Sequence, residues 1–164
     1  MNDGSYLQVW RRPDGSRSVQ LSREHLIGTW RFDEWTIERD GLVNRPMQPD
    51  PDGMIIYTPN GVMSAAMYAG GRALFPSADI KKQPDSAKAA AFDSYFHYAG
   101  TWRIVGETVV HQVTSALNPN MVGTEQVRHV DLDGDRLTLS VTETLEGGGS
   151  RHHRLVWRRF NPAA

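Results

Sequence analysis

His111, Ser115, Gln126 and Arg128 are the residues best suited to handle a small molecule. A neutral imidazole can act as general base or acid, or hydrogen-bond to a carbonyl. A guanidinium cannot be a base, but it can hold a carboxylate, a phenolate or a developing enolate. Gln126 would orient polar atoms of a ligand or of the imidazole. Tyr57 and Tyr98, with Tyr95, offer hydroxyl donors, and Met63, with Met54 and Met67, an adaptable apolar lining. Each also has a plain structural reading: a buried histidine satisfied by Gln126 or a backbone carbonyl, an exposed strand arginine, tyrosines and methionines packed in a core.

Other chemistries are missing. With no cysteine there is no disulfide framework, thiolate nucleophile, Cys-ligated zinc or iron–sulfur cluster. No glycine-rich nucleotide loop, Gly-x-Ser-x-Gly elbow, His-x-His or His-Glu-x-x-His is present. His152 and His153 are adjacent, so a strand would send them to opposite faces. A lone His111 is compatible with haem ligation, but nothing else supports it. No cofactor and no metal is expected. Eighteen basic against nineteen acidic residues leave a net charge of −1, which gives nucleic acid or an anionic membrane no electrostatic purchase. The longest apolar run, Ala65 to Ala69, is five residues, far short of the ~20 that cross a bilayer as a helix. No signal peptide is visible, and the expected location is the cytoplasm.

The elements that would position these residues are mostly strands. At 164 residues the chain is about one domain long. Alternating hydrophobicity marks Ile27–Glu38, Met54–Thr58, Gly61–Tyr68, Thr101–Val105, Thr108–Ala116, Val122–Leu132, Arg136–Thr144 and Ser150–Arg159. Short connections such as Asp40-Gly41, Pro59-Asn60-Gly61 and Asp133-Gly134-Asp135 carry turn chemistry. Eight such strands in meander order predict an all-β fold: an eight-stranded antiparallel up-and-down barrel, closed so that no edge is left unpaired. One inserted helix is predicted over Pro84–Tyr98, with Ala89, Phe92, Phe96 and Ala99 on its apolar face and Gly100 as its stop. The Gly70–Gln83 loop before it would be a lid. Residues 1–24 read as an N-terminal arm or hairpin around Pro13-Asp14-Gly15-Ser16, and residues 25–161 as the barrel domain. Parity puts His111 and Ser115 on one strand face, and Gln126 and Arg128 on one face of the next. It does not settle which faces point inward.

Leu26-Ile27-Gly28-Thr29-Trp30, Tyr57-Thr58-Pro59-Asn60-Gly61-Val62-Met63-Ser64-Ala65, Lys88-Ala89-Ala90-Ala91-Phe92, Tyr98-Ala99-Gly100 and Val110-His111 occur in that order. Asn118-Pro119-Asn120, Gly123-Thr124, Gln126-Val127-Arg128 and Leu132-Asp133-Gly134-Asp135-Arg136-Leu137 follow. This succession, over about residues 25–160, resembles the bacterial and fungal lipocalin-like domain family. The resemblance implies an eight-stranded calycin-like barrel with an interior pocket and turns His111 inward. It also implies a closed end in which a buried Trp30 is covered by Arg158 or Arg159 of the last strand, with ligand entering opposite. It does not imply one reaction, since the fold hosts carriers as well as catalysts.

The expected partner is therefore a small apolar or amphipathic ligand that the barrel carries, senses or stores, and a homodimer stays open. The alternative is a cofactor-independent isomerase, cyclase or lyase acting on a polyketide-, terpenoid- or aromatic-like substrate. There His111 and Arg128 would be catalytic, and Tyr57, Met63, Tyr98, Ser115 and Gln126 would bind. A third reading is an interaction protein with a filled barrel and a docking arm.

Overall fold

The computed structural model describes residues 9–11 and 17–161. Two short strands, β1 (Val9–Arg11) and β2 (Arg17–Val19), pair antiparallel with Val9 opposite Val19. The turn expected at Pro13–Ser16 lies outside the described residues. A single helical turn, α1 (Arg23–Leu26), leads into β3 (Gly28–Arg39), followed by β4 (Leu42–Asn44), β5 (Asp52–Tyr57) and β6 (Val62–Tyr68). A helix, α2 (Asp85–Asp93), precedes β7 (Tyr95–Val105), β8 (Thr108–Ala116), β9 (Glu125–Asp133), β10 (Arg136–Thr144) and β11 (Ser150–Arg159). The antiparallel order runs β3-β5-β6-β7-β8-β9-β10-β11, and β11 pairs back onto β3, so eight strands close a barrel. β4, a strand the alternation did not announce, adds to the far end of β3.

Alternation explains the core. On β11, His153, Leu155 and Trp157 face in while Arg154 and Arg158 face out, and Leu137 and Leu139 of the neighbouring β10 lie beside Trp157 and Leu155 on the same inner wall. The helix is shorter than its apolar spacing predicts. Ser94 ends it, its hydroxyl donating to the carbonyl of Ala90 at 2.7 Å. Tyr95-Phe96-His97-Tyr98 then runs as strand against Tyr68 to Ala65. Aromatic side chains gain more on a half-buried pleated wall than on a surface helix, so β7 starts six residues before the predicted Thr101.

Two β-bulges redirect side chains. Ala99 pairs with Ser115 but Gly100 with Val113, so Thr114 is an extra residue in β8. Between β3 and β11, Val156 pairs with Glu34 but Trp157 with Phe32, so Asp33 is extra in β3. Beyond a bulge the alternation changes phase. Trp30 and Phe32 face the interior before it, and Trp35 after it.

The end where β3 begins is sealed. Trp30 is fully buried and donates its indole N–H to the carbonyl of Leu26 at 2.9 Å. The residue that covers it is Arg159, its guanidinium 4.0 Å from the ring centroid and bonded to the carbonyls of His25 and Ile27. Arg158, the first-named partner in the expectation, is exposed and pairs with Asp33. With Trp157 facing in, alternation sends Arg158 out and brings Arg159 back.

Candidate functional site

His111 sits on the inner face of β8, wholly buried, and both its ring nitrogens are engaged. Nε2 lies 2.9 Å from the Tyr57 hydroxyl of β5, and Nδ1 lies 2.9 Å from the Tyr98 hydroxyl of β7. Burial, reinforced by the nearby Arg128 cation, pushes His111 down to about 3, so the ring is neutral. Burial likewise pushes the Tyr57 phenol well above its ordinary value and raises that of Tyr98. A neutral imidazole has one donor and one acceptor. Among the described residues Tyr57 has no hydrogen-bond partner but His111. If Nε2 carried the proton, the buried Tyr57 O–H would be stranded, at about 1–3 kcal/mol. Tyr57 therefore donates to Nε2, and Nδ1–H donates to the Tyr98 oxygen. The Tyr98 O–H is left free to point elsewhere.

Tyr98 also lines a cavity. A space of about 40 Å³ lies on the barrel axis, on the open side of His111, walled by Trp35, Met67, Phe96, Tyr98, Arg128, Leu139, His153, Leu155 and Trp157. Tyr98 is part of its wall, and His111, bonded to Tyr98, is not. Arg128 enters from β9, bonded to the Val127 carbonyl at 2.8 Å and to Gln126 Oε1 at 3.0 Å. Neighbouring Glu125 pairs with Arg103 on the outer wall. The inward carboxylate nearest the mouth, Glu143, bonds Arg151 at 2.7 Å. Burial pushes Glu143 up, but the Arg151 hydrogen bond with His153 and Arg151 charge outweighs it and holds the carboxyl below its usual range. Arg128 thus has no carboxylate of its own among the described residues.

Trp157, 1% exposed, has its indole N–H without any partner. His153 accepts the Trp35 indole N–H at Nδ1, 3.2 Å away. Burial lowers its basicity, so the ring is neutral and the proton sits on Nε2. Glu143 Oε2 lies 3.4 Å from that nitrogen but off the hydrogen-bond direction, which leaves it unpartnered.

The structure therefore distributes the expected site residues over four places. Tyr98 and Arg128 line the cavity. Gln126 stands behind Arg128, holding its guanidinium. Tyr57, Met63 and His111 lie deeper in the core. Ser115 is exposed on the outer wall, because the bulge at Thr114 hands the inner face to Ala116. Arg128 is two residues along from the position opposite His111 on the adjacent strand, near enough for its charge to act on the imidazole, but His111 is not part of the cavity lining. Trp35, Phe96, His153 and Trp157 were missed. Alternation along Ser150–Arg159 did carry a signal for the last two.

A roomier depression of about 740 Å³ opens on the outer wall among Arg31, Asp33, Asp52, Tyr68 and Arg158. Both of its arginines are already paired, Arg31 with Asp52 and Arg158 with Asp33, and Asp50 stands exposed at its rim. The axial cavity is the better candidate despite its size.

Comparisons with known proteins agree with this architecture. Residues 27–160 match the model of the lipocalin-like domain family. The 4'-hydroxy-3'-methoxypropiophenone carrier protein of Aspergillus oryzae is 28% identical over 107 residues, which is 60% of this chain and 96% of that protein. No solved structure matches significantly. With the family match spanning the closed barrel from β3 to β11, the chain belongs to the lipocalin-like domain family.

Proposed function

We propose that the barrel binds and carries a small, largely apolar organic molecule, taken in at the open end, and leaves it chemically unchanged. The observation that carries this reading is the axial cavity, whose aromatic and aliphatic walls include Trp157, its indole N–H buried in the wall without a partner. A filled barrel would have no reason to keep a donor in that state, since an unmet buried polar group costs about 1–3 kcal/mol. The Aspergillus oryzae relative, named as a carrier of an aryl ketone, supports the same kind of cargo here. Carriage is favoured over catalysis by His111. A base must reach the proton that it removes, and this imidazole is neutral, bonded at both nitrogens and absent from the cavity lining.

Trp35 and Trp157 line the cavity, so binding can be followed by tryptophan fluorescence. Titration with 4'-hydroxy-3'-methoxypropiophenone is expected to give saturable one-to-one quenching. Leu139→Trp, which fills the cavity, is expected to weaken it at least tenfold. The ketone should be recovered intact after long incubation. Quenching that never saturates, or is indifferent to Leu139→Trp, removes the cavity as the site, and a new product would make the protein an enzyme.

A further inference from the structure

The polar side chains that line the cavity have donors to spare, with the Trp157 and His153 N–H groups buried in its wall rather than open to its space. Trp157 offers its indole N–H, which can only donate. Tyr98 offers its O–H, because its oxygen already accepts from His111. Arg128 has five N–H groups, and two are used by Val127 and Gln126. His153 Nε2 carries the ring proton, because Nδ1 accepts from Trp35. The remaining walls are aromatic or aliphatic, and the Met67 sulfur is at best a weak acceptor. The charge balance points the same way, since Glu143 faces two guanidiniums, Arg151 and Arg128, and is bonded to the first.

From this we infer that the site selects ligands carrying an anionic oxygen, a carboxylate or phenolate, on an apolar body, and that the oxygen enters first to lie against Arg128, Tyr98 and Trp157. The inference rests on the carrier reading above and narrows it. A cavity of about 40 Å³ has room for one carboxylate-sized head. The apolar body then lies toward the mouth against Trp35 and Phe96. Convergent donors in an apolar, poorly hydrated setting hold an anion strongly because water does not compete. They also reject a cation, which would sit beside Arg128 with no acceptor to receive its protons. The inner tyrosine–histidine chain acquires a role here. Tyr57 fixes the His111 tautomer, His111 occupies the Tyr98 oxygen, and Tyr98 is thereby held as a donor. Tyr57 and His111 are positioning residues that never touch the ligand.

Three probes of one shape separate the possibilities: 3-phenylpropanoate, 4-phenylbutan-2-one and 3-phenylpropan-1-amine. The wild-type protein is expected to bind the carboxylate at least tenfold tighter than the ketone, and the amine weakest. Arg128→Met should bring carboxylate and ketone within about twofold of each other, the carboxylate losing much more affinity than the ketone. Tyr57→Phe removes a group remote from the ligand. It frees Nε2 to carry the ring proton, so that Tyr98 donates to Nδ1 instead of to the ligand. It should weaken the carboxylate several-fold and the ketone less, whereas a merely structural role would weaken both alike. Equal affinity for all three probes, or preference for the amine, overturns the inference and leaves the carrier reading standing. If none of the three binds and 4'-hydroxy-3'-methoxypropiophenone does not bind either, both fall together.

Discussion

At the residue scale the protein turns on a histidine that is kept from behaving like one. His111 is clamped between two phenols, and burial holds its basicity far below that of a free imidazole, at about 3 against 6.5. The unfolded chain takes up a proton between those values and the folded chain does not. The stabilisation is therefore complete above about pH 6.5 and is lost as pH falls from there toward 3. His153, also lowered by burial, contributes with the same sign. Urea midpoints at pH 7.5 and pH 4.5 should show the wild type losing roughly 2–3 kcal/mol more than His111→Gln over that interval. Equal losses would mean that the imidazole titrates freely. Family resemblance turned this side chain inward, but nothing in the sequence named its partners. Tyr57 and Tyr98 stand 54 and 13 residues away, and the three meet only once the barrel closes. Gln126, the partner expected from the adjacent strand, is indeed opposite His111 in the register. Its amide turns instead to Thr124 and Arg128.

At the element scale, the limits of several strands were legible and strand phase was not. β8, β10 and β11 have the bounds that alternation and turn residues set, because each is bracketed by Gly, Asn or Asp connections. The two bulges left no such mark, and they decide what the cavity contains. Asp33 brings Trp35 to the inner wall, and Thr114 sends Ser115 out. The second bulge depends on Gly100, where a Cβ would collide with the carbonyl oxygen of Gln112. Gly100→Ala is expected to cost about 2–3 kcal/mol in denaturant unfolding, since a backbone atom cannot step aside as a flexible side chain can. A neutral result would show that β7 and β8 pair without this close approach. α2 lies at the other extreme. None of its residues is buried, and Phe92 is half exposed. Its amides should exchange with solvent orders of magnitude faster than those of β8 and β10. Protection equal to that of the barrel would mean that the helix opens only with the whole domain.

At the scale of the whole molecule, stability and binding are separated along the barrel axis. The near-neutral net charge of −1 conceals two arginines that enter the interior from opposite ends under opposite conditions. Arg159 at the sealed end lies over Trp30 and satisfies two carbonyl oxygens, so every part of its side chain that leaves water finds a partner. Arg128 at the open end is half-buried beside apolar walls with no carboxylate of its own, which makes it a cost to the fold that a bound anion would relieve. The same substitution should therefore act with opposite sign at the two positions. Arg159→Leu is expected to lower the unfolding free energy by about 2–3 kcal/mol, through two stranded carbonyls and an uncovered indole. Arg128→Leu is expected to raise it by about 0.5–1.5 kcal/mol while weakening the binding of 3-phenylpropanoate, the exchange of stability for function usual at a binding site. Thermal and urea denaturation of the two variants, run beside the wild type without added ligand, reads both signs. Loss of stability in Arg128→Leu comparable to that in Arg159→Leu would make the cavity arginine a structural member of the barrel and remove the reason to expect an anion beside it.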